Sequence, residues 1–283
     1  MKQTCLFALV ILVFSCTTAA GSEEDAIRIT RNEFYKRTGI VLTDPVAVAT
    51  DDKKIEASFS TRIFSKYVDD AGLVAHDKPV LQNDLTIVHL PSGFYVDIWH
   101  SASFAHGAAS SNNGDEIDYT LGWSGDFAGM GIDAGITYID NIALLAMPDG
   151  DIIQPYIELN KKFAVDDRNT ITPFIKAAYG TPARGSAREL QGLCIHAGVK
   201  HTLIFTKYLN INQKLVATFD NVAFGADRAL VGTYEINPSY RFLEHPSYTM
   251  SFDLSARAIG PLVEYEGRDR ELHLIGGGVA VNF

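Results

Sequence analysis

Cysteine is scarce in this chain: three residues among 283, with Cys5 and Cys16 both inside the first sixteen positions. Cys194 is then the one thiol in the body of the protein, which excludes an internal disulfide framework. Long apolar runs are also lacking. After residue 20 there is no stretch of 18 apolar residues, so no helical membrane span is expected there. Positive charge is in short supply, with 24 Lys and Arg against 34 Asp and Glu and a formal charge of −10 at pH 7. That balance repels polyanions, so no nucleic-acid partner is expected. The chain has no Gly-rich phosphate loop, no paired Cys/His metal spacing and no repeat beyond a hairpin. No cofactor, no metal and no catalytic residue is expected on that basis.

The N-terminus supplies a compartment. Lys2 precedes the apolar run "CLFALVILVF" at 5–14, and "CTTAA" leads to Gly21. This is the pattern of a cleavable secretory signal over residues 1–20, with Thr18 and Ala20 before the cut. "VFSC" also resembles a lipobox, so lipidation of Cys16 stays open. Loss of Lys2 with the leader leaves 23 basic and 34 acidic residues, a formal charge of −11. Residues 21–53 are expected to form a periplasmic extension or a plug. Ser22 and Asp25 fall near a short helix start, and Gly39 at its end.

From residue 54 onward, segments of about ten residues alternate apolar and polar, with turn residues between them. In "LVGTYEINPSYRF" (230–242), Leu230, Tyr234, Ile236, Tyr240 and Phe242 share one face. Val231, Thr233, Glu235, Asn237, Ser239 and Arg241 share the other. Successive strand residues point to opposite sides, so each such segment has one apolar and one polar face. Twelve strands are expected, at about 54–64, 80–90, 93–104, 115–123, 129–140, 151–161, 170–179, 193–204, 208–219, 229–242, 247–258 and 271–283. Their connections alternate short and long. The expected fold is all-β: an antiparallel transmembrane β-barrel over 54–283, with short periplasmic turns and longer extracellular loops. A soluble β-sandwich also alternates. Against it stand the export signal and the aromatics that end the apolar faces. Phe94, Trp123, Phe242, Tyr248 and Phe283 fall at one proposed membrane boundary, and Tyr138 and Phe219 at the other. Pro155, Pro173 and Pro238 fall inside strands, where each removes a donor, and are expected at bulges or rims.

"SGFYVDIWHSASF" and "GDEIDYTLGWSGDFAGMGIDAGITYID" resemble strands of the TorF-type (Gcw) family of outer-membrane porins. The matching stretches are Gly93 to Ser101, Glu116 to Gly125 and Ile132 to Tyr138. The resemblance covers about a fifth of the chain and rests on strand patterning. It implies a barrel that passes solutes passively, and it carries over no functional residue.

If the apolar faces meet lipid, the polar faces line a lumen. Its acids would be Glu56, Asp84, Asp97, Glu116, Asp118, Asp133, Glu158, Glu235 and Asp253, and its bases Arg62, Lys176, Lys200, Lys214 and Arg257, with His196 titratable. The acids gather on the second to sixth strands, and Lys176, His196, Lys200 and Lys214 on the seventh to ninth. Opposed walls of opposite sign would set a transverse field across a pore. The expected function is a porin-like channel of the outer membrane for small hydrophilic solutes, weakly favouring cations. Its expected partners are outer-membrane lipids and, during biogenesis, the barrel-assembly machinery. The oligomeric state is not legible. Two other readings stay open. One is a barrel packed with polar side chains that works through its outer loops. The other is a lipid hydrolase using the His100, Ser101, Ser103 and His106 group, although strand alternation sends His100 outward and both serines inward.

Overall fold

The structure, a computed structural model, describes residues 54–104, 115–141, 151–183, 191–221, 228–263 and 271–283. The expected signal peptide, the 21–53 segment and His106 lie outside those residues. Every regular element among the described residues is a β-strand. β1 (Ile55–Phe64) is followed by two short strands, β2 (Tyr67–Val68) and β3 (Val74–His76). Then come β4 (Val80–His89), β5 (Phe94–Ser103), β6 (Glu116–Phe127), β7 (Met130–Asn141), β8 (Ile152–Asn160) and a short β9 (Phe163–Ala164). The chain ends with β10 (Asn169–Pro182), β11 (Gly192–Ile204), β12 (Leu209–Asn221), β13 (Ala229–His245), β14 (Tyr248–Pro261) and β15 (Leu272–Asn282).

Twelve of these strands form a closed antiparallel ring. The order runs β1, β4, β5, β6, β7, β8, β10, β11, β12, β13, β14, β15 and back to β1. Each stave lies within four residues of the interval read from the alternation. The connections at one rim are tight: 90–93, 128–129, 205–208 and 246–247. Gly93 shows why sequence matters there. Its φ is +73°, and a Cβ would stand 2.1 Å from the Ser124 carbonyl oxygen. Only glycine fits that crossing.

The apolar alternation faces outward. Ile63, Val96, Leu121, Leu215, Leu254 and Ile275 are exposed on the outer wall, while Ser58, Ser60, Thr86, Thr120 and Ser251 are buried on the inner one. The prolines sit mid-stave rather than at bulges or rims. The β8–β10 ladder skips the positions beside Pro155, and the β13–β14 ladder skips those around Pro238. Pro173 faces the break between β8 and β9. Each proline therefore costs a local ladder bond without shifting register, and the one register shift in β13 falls at Arg241/Leu243.

Closure depends on the last strand. β15 pairs with β1 from Ser58↔Asn282 to Phe64↔Gly276, and the Phe283 N–H donates to the Ala57 carbonyl at 2.9 Å. The glycine run makes this seam. Gly276 lies opposite Phe64, whose ring would be 2.3 Å from a Cβ there. Gly278 lies between Arg62 on β1 and Asp253 on β14 in one cross-strand row. The Arg62 guanidinium passes over it to reach the Asp253 carboxylate at 3.2 Å. A Cβ on Gly278 would meet the Thr61 carbonyl oxygen at 1.9 Å and the Arg62 Cα at 2.6 Å. Gly278→Val should therefore destabilise closure by about 1–3 kcal/mol or more, the usual cost of overpacking. A folded barrel migrates differently on a gel before and after boiling, so the variant should lose that difference at a lower temperature than the parent.

Candidate functional site: the barrel lumen and its inner hairpin

The segment 65–79 was expected to be an outer loop. Instead it folds into the lumen, with β2 and β3 as a small hairpin of their own. Its anchor is hydrophobic. Val68 packs in a buried cluster with Ala229 and Val231 of β13, Ile259 of β14, and Leu272 and Leu274 of β15. These inward residues break the polar rule of the inner wall, and the hairpin covers them. Burying such a patch is worth about 25 cal/mol per Å² removed from water. The tip is stiffened by Asp69, whose Oδ1 accepts the N–H groups of Ala71 at 2.9 Å and Leu73 at 2.7 Å.

The hairpin crosses to the other wall through Tyr67. Its hydroxyl donates to the Glu116 carboxylate on β6 at 3.1 Å, and its ring meets that of Trp99 on β5 at 5.5 Å. Tyr67 lies outside the staves and its hydroxyl is hard to ionise. Burial raises its pKa well above 10, and the carboxylates of Glu116, Asp118 and Asp69 raise it further.

Around the hairpin lies a cavity of about 410 Å³. Of the sequence-derived lumen set, Arg62, Asp84, Asp97, Glu116, Asp118, Glu158, Lys176, His196, Lys200, Lys214, Glu235, Asp253 and Arg257 line it. Asp133 lies on a smaller cavity with Glu158, Lys176 and Lys200. Glu56 is buried on the inner face and borders neither cavity.

The charges are segregated by strand. On the acidic wall, Asp84 of β4, Trp99 of β5 and Asp118 of β6 form one cross-strand row. The Thr86 hydroxyl stands 2.7 Å from Asp97 and 3.1 Å from Asp84. Facing it, Lys200 of β11, Lys214 of β12, Glu235 of β13 and Arg257 of β14 form another row. Lys200 donates to Glu158 at 2.7 Å, and Arg257 pairs with Glu235 at 3.3 Å. The Lys200 ammonium also lies 4.5 Å from the centre of the Phe174 ring and that of Lys214 5.8 Å. Lys176 stands 4.8 Å from the centre of the Tyr156 ring. Nearer the tight-turn rim, Tyr95 bonds both Asp133 and the Tyr156 hydroxyl. Gly122 opposite Tyr95 and Gly135 opposite Tyr156 leave room for the rings.

Other sequence-derived positions fall as follows. Phe94, Phe242 and Phe283 are exposed on the outer wall at the tight-turn rim. Beside them, Trp123 donates its indole N–H to the Ser92 carbonyl and Tyr248 contacts the Phe283 ring. Tyr138 bonds Asp151 at the opposite rim, and Phe219 lies near the outer end of β12. His100 faces outward, 3.3 Å from Asn83, while Ser101 is buried on the inner wall. Cys194 is buried inside, its Sγ 3.3 Å from His196. The inner hairpin itself was missed. Its signal was the double-apolar stretch at Val231, Ile259, Leu272 and Leu274, where both strand faces read hydrophobic and something had to cover the inner one.

No family model matches the chain, and no curated protein does. Solved outer-membrane channels are similar over most of their length. A KdgM porin shares 10% identity over 81% of this chain and 99% of its own, with a TM-score of 0.48. The COG4313 outer membrane channel from Pseudomonas putida F1 shares 11% over 81% and 94%, at 0.46. An anion-selective porin from Comamonas acidovorans shares 8% over 81% and 98%, at 0.35. The likeness is one of overall architecture. What places this barrel in a bilayer is its own geometry: a closed ring without edges, apolar outside and polar inside, with an even number of staves. The protein is a transmembrane β-barrel of the outer-membrane type.

The Tyr67 contact carries a pH dependence. Its hydroxyl has a higher pKa docked than in a free hairpin, so docking favours the protonated form. That contribution is complete below pH 10 and is lost as pH rises through the docked pKa. Alkaline titration followed by tyrosinate absorbance should show a late-titrating fraction that includes Tyr67, and hydrogen exchange of residues 67–76 should rise in the same range. Tyr67→Phe should remove one tyrosine from that fraction and abolish the pH-dependent rise in exchange.

Proposed function

We propose that the barrel is a channel for passive diffusion of small hydrophilic solutes across the outer membrane, with a weak preference for cations. The observation that carries this reading is the polar cavity between two walls of opposite charge, open around the inner hairpin rather than filled by it. The residues assigned to the passage are Arg62, Asp97, Glu116, Asp118, Glu158, Lys176, Lys200, Lys214, Glu235, Asp253 and Arg257, with Asp133 towards the periplasmic side. Their acids outnumber their bases, and rings of one sign concentrate the opposite ion. The transverse field between the β4–β6 wall and the β10–β14 wall favours polar solutes that can align with it. The strand-pattern resemblance to TorF-type porins agrees with passive transport. Contact of the outer wall with lipid, and reading of the terminal Phe283 strand by the assembly machinery, belong to the same reading.

A sealed barrel that works through its outer loops is the competing reading, and the hairpin across the lumen favours it. A hydrolase has less support. His100 is held outward by Asn83, whereas Ser101 is buried on the opposite face.

Planar-bilayer recording separates these readings. The channel reading expects discrete conductance steps and a reversal potential on the cation side in a salt gradient. Asp84→Asn with Asp118→Asn should move that potential towards chloride. Replacing residues 67–76 with a short Gly-Ser linker should raise conductance severalfold. A reconstituted barrel that carries no current with or without the hairpin would overturn the channel.

A further inference from the structure

On one side the apolar outer wall is interrupted by polar side chains. Asn169 of β10, His201 of β11, Gln213 of β12 and Tyr234 of β13 join in one hydrogen-bonded network. The Tyr234 hydroxyl donates to the Gln213 Oε1 at 2.7 Å, and the Gln213 amide donates to the His201 Nδ1 at 3.2 Å. His201 donates from Nε2 to the Asn169 Oδ1 at 3.3 Å, and the Asn169 amide donates to the Asp166 carboxylate at 2.7 Å. The four wall residues face out. Ile171, the cross-strand partner of His201, is exposed on the outer wall, as are Tyr234 and its partner Leu215. The network lies beside the tight-turn rim, where β11 ends at Ile204 and β12 starts at Leu209. Apolar side chains would suit hydrocarbon better at these positions. The network also leaves capacity unused among the described residues. Gln213 keeps a second amide hydrogen, and Tyr234 keeps its oxygen lone pairs.

Positive charge gathers at the rim beside this face. The connection 161–168, which includes β9, carries Lys161, Lys162 and Arg168, and the turn 205–208 carries Lys207. The tight connections 90–93, 128–129 and 246–247 carry no charged residue. Asp166 is engaged by its own turn, where it accepts the N–H groups of Arg168 and Asn169 at 2.8 Å. Asp167 is the other carboxylate of these two connections, so bases outnumber acids here although the whole chain is acidic. The Lys161 ammonium lies 5.7 Å from the centre of the Phe163 ring, and that of Lys207 lies 4.5 Å from the centre of the Tyr208 ring. Phe205 and Tyr208 are exposed beside them.

We infer that this face binds an anionic phospholipid of the periplasmic leaflet, with Lys161, Arg168 and Lys207 at its phosphate and the Gln213 amide at an ester carbonyl. The two features suit one molecule. A phospholipid against the wall holds its phosphate at the level of the turns, its esters just inside them and its tails along the apolar staves. Cations, a spare hydrogen-bond donor and apolar surface occur in that order from the rim inward. The site does not depend on whether the barrel conducts.

In dodecyl maltoside, phosphatidylglycerol should raise the temperature at which the heat-dependent gel shift is lost, and phosphatidylcholine should raise it less. Glycerol 3-phosphate, which has the phosphate without the tails, should have no effect. Lys161→Gln with Lys207→Gln should raise the phosphatidylglycerol concentration for half-maximal stabilisation about tenfold, the scale of two charges at a lipid surface. Gln213→Leu should raise it severalfold. A network that only braces the wall would instead lose stability without lipid and keep the same half-maximal concentration. The inference is overturned if both lipids stabilise equally, if glycerol 3-phosphate acts as phosphatidylglycerol does, or if the double charge variant leaves the half-maximal concentration unchanged. It is also overturned, in favour of a second copy of this chain, if the parent is a dimer in detergent that Gln213→Leu dissociates with the lipid response unchanged.

Discussion

Everything in this molecule depends on the ring closing. In hydrocarbon an unpaired backbone N–H or C=O costs several kcal/mol, so a sheet with two open edges cannot stay in a bilayer. β1 and β15 are the two edges, separated by the whole barrel sequence, and their pairing turns a meander into a barrel. The seam is not sealed by backbone bonds alone. Phe64 lies over Gly276, and Arg62 reaches across Gly278 to Asp253, so residues of β1 and β14 grip each other over the last strand. That grip is why Gly276 and Gly278 stand in a strand where glycine is otherwise unfavourable. Their entropy cost is offset by contacts that any side chain would block.

Closure also defines an inside, and with it a place where charges can be kept. The inner wall carries carboxylates and cations that no lipid-facing position would tolerate. They are tolerated because each faces water or a partner. The arrangement is not one of maximal pairing. Rows such as Lys200 beside Lys214 set like charges against each other across neighbouring strands. A fold selected only for stability would alternate signs along such a row. The acids Asp84, Asp97, Glu116 and Asp118 gather on β4–β6, while Lys176, Lys200 and Lys214 gather on β10–β12, and the hairpin lies between the two groups.

The architecture was legible because period-two alternation is a direct consequence of strand geometry. A residue such as Tyr234 cannot change face without a register slip that would invert its whole strand. Strand bounds, the tight-turn rim and the inward placement of residues such as Lys176, Lys200 and Asp118 followed from that one rule. The hairpin at 67–76 was not legible in the same way. Its strands are two and three residues long, and "KYVDDAGLV" has the polarity of an ordinary loop. What holds it is long-range: Val68 against residues more than 150 positions away in sequence. The prolines misled for the opposite reason. Local reasoning put them at rims, but a ring of twelve ladders can lose a bond beside Pro155 or Pro238 and keep its register through the neighbouring bonds.

The hairpin's two attachments differ in kind, and that difference sets how it responds to its surroundings. The Val68 cluster is apolar and insensitive to salt. The Tyr67–Glu116 contact depends on protonation. A segment held to one wall by hydrophobic burial keeps that hold when its hydrogen bond to the other wall is lost. Burial therefore limits the ordering entropy paid when the hydrogen bond forms again.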